Sequence, residues 1–566
     1  MSAGGISQIV LYLVVLVALS YPLGMFMARV YSERFRAPRW LAVPERSFYR
    51  LVGTDPEREQ DCKAYAKTAL VFMFVFAVFL YLLLRLQAHL PFNPDGMKDV
   101  SPHIAMNTTA SFVTNTNWQY YGGEFTMSYL SQMAGLAVQN FVSAALGMAV
   151  LVAVIRGFAR RSSGKLGNFW VDFYRSLVYV LLPLAVILTL LLVSQGVVQT
   201  FSGSASAHTL EGAVQQIARG PAASQIAIKQ LGTNGGGFFN SNSAVPFENA
   251  NGLTNFLEML SILLIPAAMV FMFGRMIGNR RQALPIYGAM LAMTVIGIAV
   301  SLPAEQHGSQ VLRASGVNLV QGDGQSGGNM ADKEVRFGMA NTSLWSVVTT
   351  NASNGSVNGG HDALTATGGA VPITNMFTGE VIWGGVGSGL YGMFFYILIA
   401  VFVAGLMVGR TPEYLGKKIE AREIKLAAVG ALFVPTMVLV LTAVSVVTEH
   451  GLASIYNPAA HGFSEALYAY DSQANNNGSA FAGYGATEFS ALVGTIALWL
   501  GRFVPLVAAL ALGGTLAAKQ IHPPSAGTFR TDGATFGVLL VGIVILTAGL
   551  MLFPALTLGP IVEALS

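Results

Sequence analysis

Charged residues are scarce in this sequence. Only 11% of its 566 residues are Asp, Glu, Lys or Arg, whereas about 25% is usual for a soluble protein. Hydrophobic residues instead make up 53% of the chain. This composition excludes an ordinary soluble domain and predicts an integral membrane protein in contact with membrane lipids. The small basic excess, 32 basic against 28 acidic residues, gives no reason to expect nucleic-acid binding.

Cysteine is almost absent, since Cys62 is the single one. One cysteine excludes an intramolecular disulfide framework and a thiolate metal cluster. The eight histidines are scattered without metal-ligand spacing. The sequence also lacks the G-x-x-x-x-G-K-[ST] loop of nucleotide-hydrolysing proteins and the D-K-T-G phosphorylation segment. We therefore expect no catalytic site and no bound nucleotide in this chain.

Long apolar runs are abundant, and ten of them can cross the roughly 30 Å hydrocarbon core of a membrane. Of the 32 Lys and Arg residues, 24 lie in loops on one side of these runs, and the positive-inside rule makes that side cytoplasmic. Both termini are therefore predicted to face outward. The runs lie at about 6–28, 64–86, 128–155, 174–199, 253–274, 284–302, 389–409, 425–448, 490–516 and 533–555.

One polar motif recurs four times, at a spacing of about 120 residues, always between two apolar runs. Each copy has a small polar residue, then Asn, then Thr or Gly, and each follows a segment too short to cross a bilayer. Such segments are typical of half-helices that enter the membrane and return. The motifs are Thr114-Asn115-Thr116, Thr233-Asn234-Gly235, Ser353-Asn354-Gly355 and Asn476-Asn477-Gly478, and the preceding segments are 104–113, 222–231, 339–350 and 460–472.

The repeat predicts the fold class: an all-α polytopic membrane protein with ten transmembrane helices. Four pseudo-fourfold membrane-pore-membrane repeats surround a central selectivity filter, with one extra helix at each end. The predicted divisions are 1–63 (first extra helix and cytoplasmic loop), 64–155 (repeat 1, filter 114–119), 156–277 (repeat 2, filter 233–237), 278–409 (repeat 3, filter 353–358), 410–516 (repeat 4, filter 476–479) and 517–566 (last extra helix).

Four converging loops with little side chain can surround a cation with carbonyl oxygens. Glycine permits the positive φ that this inward turn needs. Rings of carbonyls can replace the water shell of a potassium ion, and the partly negative ends of the half-helices favour a cation. The first loop departs from the others, because Thr116 and Asn117 align with Gly235 and Gly236.

The same alignment places Trp118 and Gln119 of the first loop opposite Gly237 and Phe238. Two roles stay open for Gln119: its amide lies at the mouth of the filter, or it only braces the loop. The alignment itself allows a slip of two residues.

The sequence resembles the family of potassium-translocating A subunits (KdpA) of bacterial Kdp-type potassium pumps, which belongs to the potassium-transporter superfamily. The resemblance covers the chain from the first span to the last. It is strongest in TNTNWQ (114–119), LGTNGGGFFNSNSAVPFEN (231–249), GEVIWGGVGSGLYGM (379–393), GRTPEYLGKKIE (409–420) and NNNGSAFAG (475–483).

This resemblance implies a non-catalytic member of a pump complex, which binds potassium from outside and works in the bacterial cytoplasmic membrane. It implies three protein partners: a P-type ATPase, a periplasmically anchored protein and a small single-span protein, which are the B, C and F subunits of such complexes. It also implies an ion path that leaves sideways towards the ATPase. Together with the repeat it assigns the potassium filter to Thr114, Asn115, Thr116, Gln119, Thr233, Asn234, Gly235, Ser353, Asn354, Gly355, Asn476, Asn477 and Gly478.

Two further features are candidates for gating or coupling. The glycine-rich stretch Gly384–Met393, with Gly385, Gly387, Ser388 and Gly389, predicts either an interrupted helix or gating loop below the filter, or close helix packing. Arg502 lies inside an apolar run, where a charge is costly. It either repels ions from the straight cytoplasmic exit or pairs with an acid such as Glu380.

Two other functions remain possible from the residues. One is a self-sufficient, channel-like potassium transporter of the Trk or Ktr type, which would share the same filter. The other is an intramembrane enzyme, for which the adjacent pair His361-Asp362 is the nearest approach to catalytic residues.

Overall fold

The computed structural model describes residues 3–322, 325–407, 409–523 and 528–565, and this part of the chain is mainly helical. Ten helical segments within it are long and apolar enough to cross a membrane, which confirms the predicted spans. They are Gly4–Val30, Cys62–His89, Ser131–Ala159, Phe169–Ser194, Gly252–Met276, Arg280–Ala314, Ser388–Met407, Ala421–Val447, Glu488–Ala518 and Ala534–Leu558.

Helices form the spans and several of the connections between them. In chain order they are α1 (Ala3–Val30), α2 (Arg39–Leu51), α3 (Cys62–Leu86), α4 (Pro102–Val113), α5 (Gly123–Thr126), α6 (Val138–Ala159), α7 (Phe169–Arg175), α8 (Leu182–Ser194), α9 (Ala222–Leu231), α10 (Gly252–Met276), α11 (Ala283–His307), α12 (Gln310–Ala314), α13 (Gly338–Asn351), α14 (Ala366–Phe377), α15 (Ser388–Met407), α16 (Ala421–Val447), α17 (Glu449–Leu452), α18 (Ala459–Ala474), α19 (Glu488–Ala518), α20 (Ala534–Leu558) and α21 (Pro560–Leu565).

Wider π-helical turns complete two of the spans: Ser131–Ala137 precedes α6, and Ser176–Leu181 joins α7 to α8. Short 3-10 turns and two antiparallel hairpins lie outside the long helices. The 3-10 turns are Gln87–His89, Asn242–Ala244 and Arg280–Gln282, and the hairpins pair β1 (Ala205–His208) with β2 (Val214–Ile217) and β3 (Glu413–Tyr414) with β4 (Lys417–Lys418).

Four of the helices that are too short to cross a bilayer end directly before a predicted filter loop. They are α4, α9, α13 and α18, with 12, 10, 14 and 16 residues. At 1.5 Å per residue, even α18 is only about 24 Å long. They contain the four predicted half-helices. The order of span, half-helix, loop and span therefore occurs four times, with α1 and α20 outside the repeats.

Capping side chains define where two of the returning spans begin. Asn251 accepts hydrogen bonds from the backbone N–H groups of Leu253 and Thr254 at the start of α10. Thr487 accepts one from Ser490 at the start of α19. Such residues satisfy the unpaired N–H groups of a first helical turn. In the second and fourth repeats the sequence thus fixes the point at which the filter loop gives way to a span.

Burial separates inner from outer spans. Over its most apolar stretch the span that contains α6 is 89% buried, whereas those formed by α1 and α20 are 28% and 33% buried. Small residues let α6 approach its neighbours: a Cβ added to Gly157 would overlap the backbone of Gly513 in α19. Close packing of this kind is a main source of helix association in lipid. Accordingly α6 is interior, and α1 and α20 lie at the periphery.

Candidate ion-binding site

The four predicted filter loops, called loops 1 to 4 in chain order, share one unusual backbone conformation. In each, two residues with positive φ flank one residue without it. A regular strand turns successive residues to opposite sides, whereas this alternation turns successive carbonyls to the same side. It is the conformation that a carbonyl-lined filter requires. The flanking pairs are Asn115 (φ 73°) and Asn117 (58°), Thr233 (50°) and Gly235 (78°), Ser353 (48°) and Gly355 (87°), and Asn476 (61°) and Gly478 (99°).

A hydrogen bond to the preceding half-helix marks the same register in all four loops. We call the two residues with positive φ and the residue between them a trio. The middle residue of each trio donates its backbone N–H to a carbonyl in the last turn of that helix, which satisfies one of the unpaired carbonyls at a helix end. The donor and acceptor residues are Thr116 and Ser111 (2.9 Å), Asn234 and Lys229 (2.8 Å), Asn354 and Thr349 (3.2 Å), and Asn477 and Ser472 (2.8 Å).

This register corrects the alignment of loop 1 by one residue. The sequence comparison placed Thr116 opposite Gly235, but both the torsions and the helix bond place Asn117 there. Asparagine is among the non-glycine residues that most readily take a positive φ, so Asn117 can replace the glycine of the other loops. Thr114 lies before the trio, at the end of α4, where its hydroxyl donates to the carbonyl of Ala110 at 2.8 Å.

Glycine lets neighbouring loops touch. A Cβ added at the third position of loops 2, 3 or 4 would overlap a carbonyl oxygen of the next loop. Loop 2 thus meets loop 3, loop 3 meets loop 4, and loop 4 meets loop 1, so the four loops converge as the repeat predicts. The contacts join Gly235 to the oxygen of Asn354, Gly355 to that of Asn477, and Gly478 to that of Thr116.

Side chains connect loop 1 to loop 2. Asn115 Nδ2 donates to the carbonyl of Thr233 at 2.8 Å. The amide of Gln119 donates to the carbonyl of Gly237 at 3.2 Å and accepts from its N–H at 2.9 Å. Gln119 therefore lies opposite Gly237, not Phe238, and its contacts are those of a brace between two loops.

Four carbonyl oxygens, one from the middle residue of each trio, accept no hydrogen bond from any described residue. These residues are 0% exposed. A buried carbonyl without a donor is uncommon in folded proteins. These four oxygens, called the ring, occupy equivalent positions in loops that contact one another, and they are a candidate site for a dehydrated cation. They belong to Thr116, Asn234, Asn354 and Asn477.

A buried ion pair supports loop 2 from behind. The side chains of Lys229 in α9 and Glu248 are both fully buried and in contact. Lys229 Nζ also donates to Asn242 Oδ1 at 2.7 Å, and Asn242 Nδ2 donates to the carbonyl of Gly235 at 2.8 Å. Sequence reasoning missed this support. The available signal was a lysine inside a short, otherwise largely apolar half-helix.

Space opens on both sides of the ring. On the side that the charge distribution predicts to face outward, an outer vestibule of about 520 Å³ is lined by residues from all four loops, including Gln119, Gly235, Gly355 and Gly478. Beyond the ring lies a cavity of only about 60 Å³, lined among others by Glu380. The ring therefore lies between a wide vestibule and a small inner chamber.

The glycine-rich stretch borders the inner chamber and contacts loop 2. α14 ends at Phe377 and α15 begins at Ser388, so residues 384–387 of the stretch lie outside the helices, whereas 388–393 form the start of α15. Val386 donates its N–H to the hydroxyl of Thr233 at 2.9 Å. Close packing is present too, since a Cβ on Gly387 would overlap the carbonyl of Gly147 in α6.

Arg502 lines the inner chamber, near the middle of α19. Its side chain is buried, with the whole residue 3% exposed. No carboxylate of the described residues lies within 4 Å of it, so the predicted ion pair with Glu380 is not formed. Arg502 is therefore a buried cationic side chain beside the inner chamber.

Known proteins share this architecture. The crystal structure of the potassium transporter TrkH from Vibrio parahaemolyticus is similar over 86% of this chain and 97% of that one, with a TM-score of 0.50 and 13% identity. At that identity the likeness concerns the fold alone.

Closer relatives are two proteins named potassium-transporting ATPase potassium-binding subunit. The one from Sorangium cellulosum is 54% identical, with 100% of this chain and 99% of the relative aligned. The one from Methylorubrum extorquens is 55% identical, with 100% and 98% aligned. The family described as "Potassium-transporting ATPase A subunit" matches residues 10–565. On the strength of that match and of identity over the whole length, the chain belongs to the family of potassium-transporting ATPase A subunits.

Proposed function

We propose that this chain is the potassium-binding and potassium-translocating subunit of an ATP-driven uptake pump. The observation that supports this most is the set of four buried carbonyl oxygens without a donor, one from each repeat. A K⁺ ion that loses its water needs several oxygen ligands at once. Four half-helices end beside these oxygens and add their partial negative charge. The relatives' names identify potassium as the cargo.

The ion enters from the outer vestibule and does not continue straight to the cytoplasm. The segment around Val386 closes the space below loop 2, and the buried Arg502 repels a cation beyond it. The ion instead moves sideways to a partner protein. Replacing Arg502 with alanine should permit a potassium leak or uncouple ATP hydrolysis from uptake. Unchanged uptake and coupling would remove Arg502 from this route.

Energy comes from outside the chain. The family points to a P-type ATPase as the partner that supplies it, together with a periplasmically anchored protein and a small single-span protein in the bacterial cytoplasmic membrane. The excess of basic residues in the loops predicted as cytoplasmic supports an orientation with both termini outside. The filter residues in this proposal are those of the four trios, with Gln119 as a brace and the segment Gly385–Gly389 as a gate.

The test compares the purified complex with and without this chain. We expect potassium-stimulated ATPase activity only in the complete complex. The variant Gly235→Ser should raise the KM for K⁺ and reduce discrimination against Rb⁺, because its Cβ would meet the carbonyl of Asn354. Potassium uptake by the chain alone in vesicles would favour the self-sufficient transporter instead. Wild-type kinetics for Gly235→Ser would contradict the site.

A further inference from the structure

A line of buried polar side chains lies behind loop 4. We propose that this hydrogen-bonded chain positions Asn477 in the filter and thereby sharpens the selection of potassium. Its members are His361, Tyr468 and Ser479. The inference deepens the proposed function and depends on it.

The distances form one continuous connection. His361 Nδ1 lies 2.7 Å from the hydroxyl of Tyr468, and this hydroxyl lies 2.7 Å from Ser479 Oγ. Ser479 Oγ lies 2.5 Å from Asn477 Oδ1. On its other side the amide of Asn477 donates to Glu380 Oε1 at 2.5 Å. The connection therefore runs from a residue of the outer vestibule, His361, to one of the inner chamber, Glu380.

The direction of these hydrogen bonds is fixed from the filter end. Asn477 Oδ1 can only accept, so Ser479 donates its hydroxyl hydrogen to it. Ser479 then accepts from Tyr468, and Tyr468 accepts from an Nδ1–H of His361. Burial, with a further contribution from the Lys333 ammonium, lowers the pKa of His361 to about 3, so the ring is neutral. A single assignment of the hydrogen atoms therefore makes every hydrogen bond from His361 to Asn477.

Water has little access to these hydrogen-bonded side chains. Tyr468 and Asn477 are 0% exposed, and Ser479 and His361 are 1% and 2% exposed. The Tyr468 ring stacks on Phe481, with ring centroids 4.1 Å apart. Removing one member therefore leaves a buried partner without its hydrogen bond, and buried networks are sensitive to such a loss.

A comparison with loop 3 shows that, among the described residues, the Tyr468 and His361 part of the hydrogen-bonded chain occurs only behind loop 4. Both loops contain Asn-Gly-Ser, and in both the serine hydroxyl bonds to the asparagine side chain. In loop 3, however, Ser356 Oγ also lies 3.0 Å from Gln230 Oε1 of α9. Loop 4 instead relies on Tyr468 of its own half-helix and on His361, which follows loop 3. The histidine thus couples loop 4 to the neighbouring repeat.

The first test uses Tyr468→Phe in the complete complex, which removes the hydroxyl and keeps the stacked ring. We expect the KM for K⁺ in the ATPase assay to rise about fivefold, as for one lost hydrogen bond. Discrimination against Rb⁺ should fall while kcat at saturating K⁺ is unchanged. The matched control is Tyr12→Phe, because the buried Tyr12 hydroxyl donates to the carbonyl of Met259 at 3.1 Å between α1 and α10. An unchanged KM for Tyr468→Phe, or an equal change in the control, overturns the inference.

The second test interrupts other links. Ser479→Ala should raise the KM similarly, and combining it with Tyr468→Phe should add little because both break one chain. His361→Ala should also raise the KM, whereas His361→Asn, which keeps an N–H near the Nδ1 position, should restore most of the affinity. The hydrogen-bonded chain is contradicted if the effects of Ser479→Ala and Tyr468→Phe on the KM multiply. It is also contradicted if His361→Ala and His361→Asn change the KM equally. If Gly235→Ser changes affinity while these variants do not, only this inference fails. If Gly235→Ser is silent as well, the proposed function fails too.

Discussion

Loops 1 and 2 have the same backbone conformation as loops 3 and 4 but a different side-chain support. In loops 3 and 4 the side-chain oxygen of the middle asparagine accepts a hydrogen bond from its own loop: Ser356 donates its N–H to Asn354 Oδ1 at 2.9 Å, and Ser479 donates its N–H to Asn477 Oδ1 at 3.0 Å. In loops 1 and 2 the asparagine side chains bond to each other across the two loops. There Asn234 Nδ2 donates to Asn115 Oδ1 at 2.6 Å.

A residue of α6 completes the cross-connection of loops 1 and 2. Ser143 donates to Asn115 Oδ1 at 2.7 Å and accepts from Asn234 Nδ2 at 3.2 Å. The comparison teaches that the ring depends on backbone torsion, which all four repeats share. Side chains only have to hold that torsion, and each pair of loops does so in its own way. Substitutions at equivalent positions should therefore differ in effect.

The largest expected effect concerns the ion pair behind loop 2. Lys229→Met leaves the carboxylate of Glu248 buried without its partner, which should lower the free energy of unfolding by about 3–5 kcal/mol. Thermal unfolding of the purified complex and its assembly yield measure this. Adding Glu248→Gln should recover most of the loss.

At the equivalent position of repeat 4, Ser472→Ala removes the hydrogen bond that the Ser472 hydroxyl accepts from the N–H of Gly478. This substitution should lower the free energy of unfolding by only about 1 kcal/mol. Equal losses would contradict the difference between the loops.

The second prediction compares one position of the trio in two loops. Gly355→Ala places a Cβ at φ 87° against the carbonyl of Asn477. The KM for K⁺ should rise on the order of 100-fold. Asn117→Gly in loop 1 keeps the torsion and loses only the bond to Asn140 Oδ1, 2.9 Å long. It should change the KM by about fivefold or less. A larger effect in loop 1 than in loop 3 would refute the corrected register.

The third prediction measures the cross-connection itself. In a double-mutant cycle on the KM for K⁺, Asn115→Ala and Asn234→Ala should deviate from additivity by about fivefold, because they remove one shared bond. The side chains of Asn354 and Asn477 are not bonded directly to each other. The effects of Asn354→Ala and Asn477→Ala on the KM should therefore deviate from additivity by no more than about twofold. Equal coupling in both pairs would show that the loops are supported alike.

The smallest effect concerns the N-terminal end of α18. His461 Nδ1 lies 2.8 Å from Glu563 and Nε2 lies 3.2 Å from Asp362. Hydrogen bonds to Asp362 and Glu563 raise the pKa of His461 to about 10. The contribution to stability is therefore complete below the usual histidine pKa of about 6.5 and is lost as the pH rises through about 10.

Partial exposure limits this contribution to about 1 kcal/mol. The unfolding temperature of the wild-type complex should fall more between about pH 6.5 and pH 9.5 than that of His461→Gln. Parallel pH profiles of the two proteins would exclude the ion pairs as a source of stability.

Much of the fold could be predicted because its signals are local. Apolar runs of membrane length define the spans, and the half-helices lie within two residues of the predicted ones. The trio asparagines were found because the motif repeats. The corrected register of loop 1 could not be predicted from the sequence, because asparagine does not by itself require the positive φ that Asn117 adopts. Arg502 was recognisable as a charge in an apolar run, but the lack of a carboxylate near it was not.

The contacts behind the filter were beyond prediction for a different reason. Lys229 and Glu248 belong to different elements, and His361 and Tyr468 belong to different repeats. Such pairs depend on how the helices pack in three dimensions, and no local spacing encodes them. The resemblance to a family supplied filter positions but none of this support.

The central claim is tested most directly by locating the bound ion in the complete complex. A structure determined in Rb⁺ or Tl⁺, heavier ions that stand in for K⁺, should show density at the centre of the ring, within bonding distance of the carbonyls of Thr116, Asn234, Asn354 and Asn477. Gly235→Ser should weaken that density. Strong cation density elsewhere with none among these four oxygens would contradict the account.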